Sequence, residues 1–188
     1  MVNLLAMKYL KIMSLGILAM LFGCREYRYY AFKPADLDLW RGQLQVQVVG
    51  EYKDYTVDGD KYQDWGNPYH LLFFYYFPNT ERVEKIEISN VVLKGLGSGT
   101  RVQLDGREGT KRTDIAKFFD KNDQRIRLSV ALSDLRNHQL AYEPYLLTCV
   151  VRVHADGKVL EEKKIEVKLE TDFKKGKRSD AYDALMGI

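Results

Sequence analysis

Three carboxylates and a histidine lie close together in the chain and are the residues best suited to acid–base or metal chemistry. The carboxylates are Asp58, Asp60 and Asp64, and the histidine is His70. Calcium takes six to eight oxygen ligands, and this stretch lacks the ordered spacing and closing glutamate of an EF-hand loop. A hydrolase would need Asp58 or Asp64 to meet His70 in space, which chain order does not decide. We expect a solvated hairpin loop, with a loop calcium site or a hydrolytic pair as alternatives.

The rest of the chain offers no catalytic or metal-binding motif. His138 and His154 do not stand at a metal-ligand spacing with another histidine or cysteine, so no zinc site is predicted. G-x-S-x-G and H-E-x-x-H patterns are absent from the sequence. Gly95–Gly99 is glycine-rich, but no helical pattern follows it to supply amides to a phosphate. We therefore predict a non-catalytic protein without metal or cofactor, and a flexible connection at Gly95–Gly99.

Aromatic residues are concentrated between Tyr52 and Phe77. Four of them lie in or beside the polar stretch that carries the carboxylates, namely Tyr55, Tyr62, Trp65 and Tyr69. Loops on a rigid scaffold collect binding residues, and tyrosine and tryptophan are favoured contact residues. We predict that these four side chains bind a protein or glycan partner. The alternative is a loop folded onto its own domain.

Residues 1–23 have the layout of a secretory signal peptide. Lys8 and Lys11 form a basic head, and residues 12–23 carry no charge. A membrane-spanning helix needs about 20 apolar residues, and the two lysines prevent the run from reaching that length. Translation could begin at Met1 or at Met7.

The end of this segment, Leu21-Phe22-Gly23-Cys24, resembles the lipobox of bacterial lipoproteins, with leucine at −3, a small residue at −1 and cysteine at +1. The resemblance covers residues 1–24 only. It implies cleavage before Cys24, a thioether-linked diacylglycerol on its sulfur and an acylated amine. Two or three acyl chains would anchor the protein to a membrane of the cell envelope. Under the sorting rule of enteric bacteria, Arg25 implies the outer membrane rather than the inner one.

Charge content argues against nucleic-acid binding, and cysteine content argues against a disulfide. The chain has a net charge of +3, and removal of Lys8 and Lys11 leaves +1, so we predict no nucleic-acid binding. The basic run of residues 174–178 is interpreted as a solvated tail, with contact to anionic lipid or wall polymer as the alternative. With Cys24 lipidated, Cys149 has no disulfide partner and is predicted to lie in the core.

Hydrophobic periodicity predicts an all-β domain. Strict alternation of apolar and polar residues marks several segments as strands with one buried face, namely residues 43–48, 126–132, 145–153 and 164–170. We predict an immunoglobulin-like β-sandwich of about seven strands with a short C-terminal helix, and a small β-barrel as the alternative. The predicted divisions are a signal peptide at 1–23, a lipidated tether at 24–38, the β-sandwich domain at 39–178 and the helix at 179–188.

Two strand predictions are specific enough to be checked by register. Residues 70–77 are apolar on both faces, which predicts a central strand with a loop or helix over its outer side, or a strand under a partner. Residues 145–170 should form a hairpin. A three-residue loop at 155–157 would place Leu147 opposite Ile165 and keep apolar residues on one face, whereas a two-residue turn would not.

Overall fold

The structure, a computed structural model, describes residues 24–78, 80–109, 112–117 and 124–179. These residues form twelve strands and one 3-10 helix, Ser133–Asn137. The strands are β1 (Cys24–Phe32), β2 (Ala35–Leu39), β3 (Gly42–Val57), β4 (Asp60–Pro78), β5 (Lys85–Gly95), β6 (Arg101–Leu104), β7 (Arg107–Gly109), β8 (Arg112–Lys117), β9 (Gln124–Leu132), β10 (Tyr145–Ala155), β11 (Lys158–Leu169) and β12 (Thr171–Ser179). Within the described ranges, no helix has the length and apolar character needed to cross a bilayer.

The predicted all-β class is confirmed, with two sheets. One sheet has seven strands, of which five follow the order β12-β1-β4-β3-β2, while β9 pairs with β4 and β8 pairs with β9. The other has five strands, in the order β11-β10-β5-β6 with β7 also paired to β5. In the described ranges neither sheet closes on itself, so the barrel alternative is wrong. The strand number of about seven is also too low, because short or polar strands such as β7 and β12 carry no apolar alternation.

The chain divides into two units. Among the described residues, the larger unit comprises those within 30–51 and 65–173, and the smaller unit comprises 24–29, 52–64 and 174–179.

Both sheets contribute side chains to one hydrophobic core in the larger unit. Alternation places every second residue of β10 inward, and Leu147, Cys149 and Val151 are each almost completely buried. β5 contributes Ile86 and Ile88 from the same sheet, while the seven-stranded sheet contributes residues of β3, β4 and β9. Burial of alternate side chains from two sheets is what the period-2 pattern of the sequence requires.

The apolar segment within β4 lies centrally, as predicted, since β4 has β1, β3 and β9 as neighbours. Its inward residues, such as Phe73 and Phe77, are fully buried. On the other face Phe74 is half-buried, with the Arg127 guanidinium 5.2 Å from its ring centroid. This face of β4 is therefore covered by a cation–π contact from the adjacent strand β9, whose Arg127 pairs with Tyr76 of β4.

The β10–β11 hairpin shows why the predicted register is wrong. Asp156 and Gly157 form a two-residue turn with φ of 48° and 67°, and Ala155 pairs with Lys158. A bulge after Val153 then shifts the register by one residue, so that Leu147 faces Val167 and Cys149 faces Ile165. The predicted parity, odd residues opposite odd residues, is correct, but the bulge rather than a longer loop restores it.

The ends of the domain also differ from the prediction. Residues 24–38 were expected to form a tether, but all of them except Lys33 and Pro34 lie in strands β1 and β2. The aromatic and apolar residues of this segment explain the difference, because Phe32 lies in the core and Leu37 packs against it. The predicted C-terminal helix lies outside the described residues except for Ser179, which ends β12.

Candidate functional site

The aromatic residues predicted to occupy a loop lie instead on a long β-hairpin. β3 continues to Val57 and β4 begins at Asp60, with Asp58 and Gly59 as the only turn residues. Both have positive φ, 51° and 89°, which is the geometry of a type I′ turn and suits an Asp-Gly pair. The polar residues on both sides of the turn obscured the strand pattern. The expectation of a loop is therefore wrong, because these residues form two strands joined by a two-residue turn. The predicted binding role of these residues stays a prediction.

Two of the four predicted residues meet in one cluster of the smaller unit. The rings of Tyr55 and Tyr62 stack with centroids 5.4 Å apart and an interplanar angle of 14°. The Arg28 guanidinium lies 5.8 Å from the Tyr55 centroid and 5.3 Å from the Tyr62 centroid. We call Arg28, Tyr55, Tyr62 and Asp64 the tyrosine–arginine cluster.

Asp64 links the charged and aromatic members of this cluster. Its Oδ1 accepts a hydrogen bond from Arg28 Nε at 3.0 Å, and its Oδ2 accepts one from the Tyr55 hydroxyl at 3.0 Å. Arg28, Tyr55 and Tyr62 are each only partly buried. The rings are thus held in one orientation before any ligand arrives, which lowers the entropic cost of binding. The sequence did not point to Arg28, because it stands 36 residues from Asp64.

The other two predicted residues belong to the larger unit and differ in burial. Tyr69 is 1% exposed, and its hydroxyl donates to the Tyr30 carbonyl at 3.2 Å. Burial raises the pKa of this hydroxyl well above its ordinary value. Trp65 is half-buried. Tyr69 is therefore a core residue, and a contact role is better supported for the partly exposed Tyr55 and Tyr62.

The basic run near the C-terminus is a strand rather than a solvated tail. Residues 171–179 form β12, at one end of the seven-stranded sheet. Lys175 Nζ lies 3.0 Å from a Glu26 carboxylate oxygen, and the Tyr27 ring occupies the space beside Gly176. Lysines on an edge strand also discourage pairing with other chains. The run is thus integrated into the smaller unit.

A second candidate site is a cleft in the larger unit that the sequence did not reveal. It is an open groove of about 950 Å³ beside the β2–β3 turn. Its walls include Trp40, Arg41, Tyr76, Arg125, Glu161 and Lys163. An aromatic ring beside charged groups of both signs offers apolar contact and hydrogen bonds to a small ligand.

The turn between β2 and β3, which contains Trp40, is fixed by hydrogen bonds to side chains of β4 and β11. The Trp40 amide donates to Glu161 Oε2 at 2.5 Å, and the Tyr75 hydroxyl donates to the Trp40 carbonyl at 2.5 Å. Lys163 Nζ donates to the Asp38 carbonyl at 2.8 Å. Gly42 is required next to the turn, because a Cβ there would meet the Tyr75 ring at 2.7 Å. The cleft therefore has a fixed wall.

Arg41 adds a cation to this wall. It adopts a left-handed backbone with φ of 52°, and its guanidinium lies 5.6 Å from the Trp40 ring centroid. Its Nη1 also donates to Glu81 Oε1 at 2.9 Å. The partly buried indole and the Arg41 guanidinium thus stand together on this wall, an arrangement that suits a sugar or another polar ring.

His70 and Asp64, which were considered for acid–base chemistry, have other partners. His70 Nε2 lies 3.0 Å from Glu51 Oε1, while Asp64 is bound to Arg28 and Tyr55. Burial raises the pKa of the Cys149 thiol to about 12, which makes it inert as a nucleophile. Within the described part of the chain no three histidine, cysteine or carboxylate side chains are grouped to hold a metal ion.

The glycine-rich connection contains an unexpected anion site that the chain itself fills. The amides of Gly97 and Ser98 donate to Glu143 Oε2 at 2.5 and 2.8 Å, and the Ser98 hydroxyl donates to Oε1 at 2.5 Å. These bonds, from Ser98 first and then Gly97, hold the pKa of Glu143 below its ordinary value. The segment expected to be flexible is therefore held in place by hydrogen bonds to Glu143, 45 residues away in the sequence.

Comparisons with known proteins add no assignment: no protein-family model, curated protein or solved structure matches this chain. Function must be inferred from two preformed surfaces, the tyrosine–arginine cluster of the smaller unit and the Trp40 cleft of the larger unit. A tryptophan between two alternating segments was the only signal in the sequence that could have indicated the cleft.

Proposed function

We propose that this protein is a lipid-anchored, non-catalytic binding module of the bacterial cell envelope, and that the tyrosine–arginine cluster contacts another envelope protein. One observation carries the binding role: the stacked Tyr55 and Tyr62 rings are partly exposed and already fixed by Arg28 and Asp64. Tyrosine and arginine are enriched among the residues that dominate binding energy at protein interfaces. A fixed orientation adds to their suitability, because little freedom is lost on contact.

The anchor rests on the lipobox-like sequence that ends at Cys24, since residues 1–23 lie outside the described part of the chain. Under this proposal Cys24 carries the lipid and the outer membrane is the favoured location. The finer assignment of the fold, an immunoglobulin-like arrangement of the two sheets, is part of the same proposal. It is supported by the antiparallel pairing of β10 with β5 and β11 and by the core that both sheets share.

The anchor is tested by labelling cells with palmitate. The parent protein should become labelled and fractionate with envelopes, and Cys24→Ser should do neither. An unlabelled parent would contradict the lipid anchor. The sulfur of Cys149 is not a competing acceptor, because that residue is 1% exposed.

The binding role is tested by crosslinking in intact cells followed by recovery of the bound envelope protein. Tyr62→Ala should reduce recovery at least about tenfold, the loss expected for a residue worth about 1.4 kcal/mol or more. Tyr62→Phe keeps the stacked ring and should retain most of the recovery. Tyr52→Ala is a matched control, because Tyr52 is an exposed tyrosine of the same unit outside the cluster. Equal recovery with Tyr62→Ala and Tyr52→Ala would contradict the proposal.

A second candidate function is binding of a glycan or wall polymer, and the Trp40 cleft favours it. Sugars stack on aromatic faces and exchange hydrogen bonds with charged side chains, and the cleft offers Trp40 with Arg41, Glu161 and Lys163. The chain has two tryptophans, so Trp65→Phe leaves Trp40 as the sole indole reporter. Titration of that variant with wall fragments should change its fluorescence, and Trp40→Ala should lose sedimentation with isolated wall material. Unaltered fluorescence and sedimentation would remove this candidate.

A further inference from the structure

The position of Cys24 in the smaller unit follows from contacts between β1 and β4. Glu26 lines a small hollow of about 240 Å³ together with Asp60, Lys61 and Tyr62. Arg28, two residues further along β1, contacts Asp64, two residues beyond Tyr62. The two strands therefore advance in the same direction here. Extended two residues back from Glu26, this register would bring the backbone of Cys24 level with Asp60, at the hairpin turn.

β12 ends in the same place. Lys177 lines the hollow with Glu26 and Asp60, and β12 ends two residues later at Ser179. The first residue of β1, the turn between β3 and β4 and the last residues of β12 thus share one end of the smaller unit. We call this the turn end, defined by Cys24, residues 57–61 and Lys177.

No spacer separates Cys24 from the folded unit, since β1 begins at this residue. A lipid attached to the first residue of a strand leaves only the length of one side chain between the strand and the bilayer. Successive residues of a strand are about 3.3 Å apart along its axis. Residues 57–61 would therefore lie within about one or two residue spacings of Cys24, measured along the strand direction. A tethered domain would have no such restriction.

The side chains of the turn end suit a layer of lipid headgroups. Val57 is 47% exposed at the end of β3. Lys61 and Lys177 are exposed cations, and Asp58 and Asp60 are exposed anions. Phospholipid headgroups such as phosphatidylethanolamine likewise carry a phosphate and an ammonium side by side. Surface lysines are attracted to lipid phosphate, while an exposed valine can enter the boundary of the acyl chains.

We propose that the turn end rests directly on the lipid headgroups, with Lys61 and Lys177 against phosphates and Val57 at the acyl boundary. This inference depends on the proposed lipid anchor at Cys24. It also restricts the partner of the tyrosine–arginine cluster, because Tyr62 lies only two residues beyond Asp60. Such a partner must itself reach the membrane surface.

The contact is tested with the mature lipidated protein in vesicles of phosphatidylethanolamine and phosphatidylglycerol that contain a headgroup-attached nitroxide quencher. An environment-sensitive dye is placed on the cysteine of Val57→Cys or, as the matched control, Lys53→Cys on the same face of β3. These positions are about 13 Å apart along the strand. Quenching should be at least about threefold stronger at position 57, given that separation. Equal or absent quenching at the two positions would overturn the proposal.

Two further measurements separate failure of this contact from failure of the anchor. A thioether at Cys24 and the buried Cys149 leave the parent protein unlabelled by the dye, whereas a free Cys24 would take up one dye per chain. Dye uptake by the parent, or failure to float with vesicles, would contradict the anchor. Lys61→Glu combined with Lys177→Glu should float normally and lose most quenching at position 57. Unchanged quenching in this double variant would overturn the assigned role of the lysines.

Discussion

The backbone amide of Trp40 donates a hydrogen bond to the carboxylate of Glu161, with a nitrogen–oxygen distance of 2.5 Å. This bond joins the β2–β3 turn to strand β11 across 121 residues of sequence. It places the tryptophan on a wall of the cleft by fixing its backbone rather than its ring. The cleft therefore depends on Glu161 as well as on the residues that would touch a ligand.

We expect Glu161→Ala to lower the free energy of unfolding by about 1–2 kcal/mol, because a partly buried amide loses a charged acceptor. The matched control is Glu162→Ala. Glu162 is exposed and pairs with Arg152, so its loss should cost at most about 1 kcal/mol. The free energies of unfolding of both variants are measured in denaturant. Equal destabilisation would show that the hydrogen bond to Trp40 contributes no more to stability than an exposed ion pair.

Glu143 should contribute pH-dependent stability through the loop of Gly97 and Ser98. Its pKa is lowered in the folded state, by hydrogen bonds from Ser98 and then Gly97. The contribution is therefore fully present above the ordinary glutamate pKa and is lost as the pH falls through the lower, folded-state value. Glu143→Gln should unfold with a flatter dependence on pH in the acid range than the parent protein.

Thermal unfolding between neutral and acid pH measures this difference. Glu166→Gln is the control, because Glu166 is an exposed glutamate on β11 and lies outside the loop of Gly97 and Ser98. The explanation would be wrong if Glu143→Gln and the parent lost stability in parallel on acidification. It would also be wrong if Glu166→Gln flattened the curve as much.

Cys149 should behave as a small apolar residue of the core. Cys149→Ser buries a hydroxyl among Leu147, Val151 and Ile165, and an unpaired buried hydroxyl costs about 1–3 kcal/mol. Cys149→Ala keeps the site apolar and should be the less damaging change. Denaturant unfolding ranks the two variants. A serine variant as stable as the alanine variant would indicate a hydrogen-bond acceptor for its hydroxyl at this position.

The sequence predicted the larger unit better than the smaller one for a physical reason. Strands such as β10 bury one complete face, so apolar and polar residues alternate in their sequences. The β3–β4 hairpin beyond Tyr52 has polar and aromatic residues on both faces, and its strands are recognisable only from the Asp-Gly turn. A bulge such as the one after Val153 leaves no compositional mark at all.

The candidate sites were predictable to different extents. Tyr55 and Tyr62 were selected for their residue type, and the structure brings them together. Their partner Arg28 could not be identified, because a contact between strands distant in sequence has no local signature. The same holds for Glu161 and Trp40. Tyr69 was selected for the same reason, but the structure buries its ring and its hydroxyl donates to a backbone carbonyl. Residue type alone does not distinguish a buried tyrosine from an exposed one.

Gly176 and Tyr27 provide a test of the smaller unit itself. A Cβ on Gly176 would overlap the Tyr27 ring, including its hydroxyl oxygen, so Gly176→Ala should displace that ring. Faster amide hydrogen exchange at residues 24–29 and 174–179 is the expected result. The double variant Gly176→Ala with Tyr27→Ala removes the overlap and should recover part of the protection. Because Gly59→Ala adds a Cβ in open space at a positive φ, it serves as a control for backbone strain alone and should affect the turn but not β12. If Gly176→Ala left exchange in both segments unchanged, the packing of β12 against β1 would be contradicted, and the common turn end inferred from it would be lost as well.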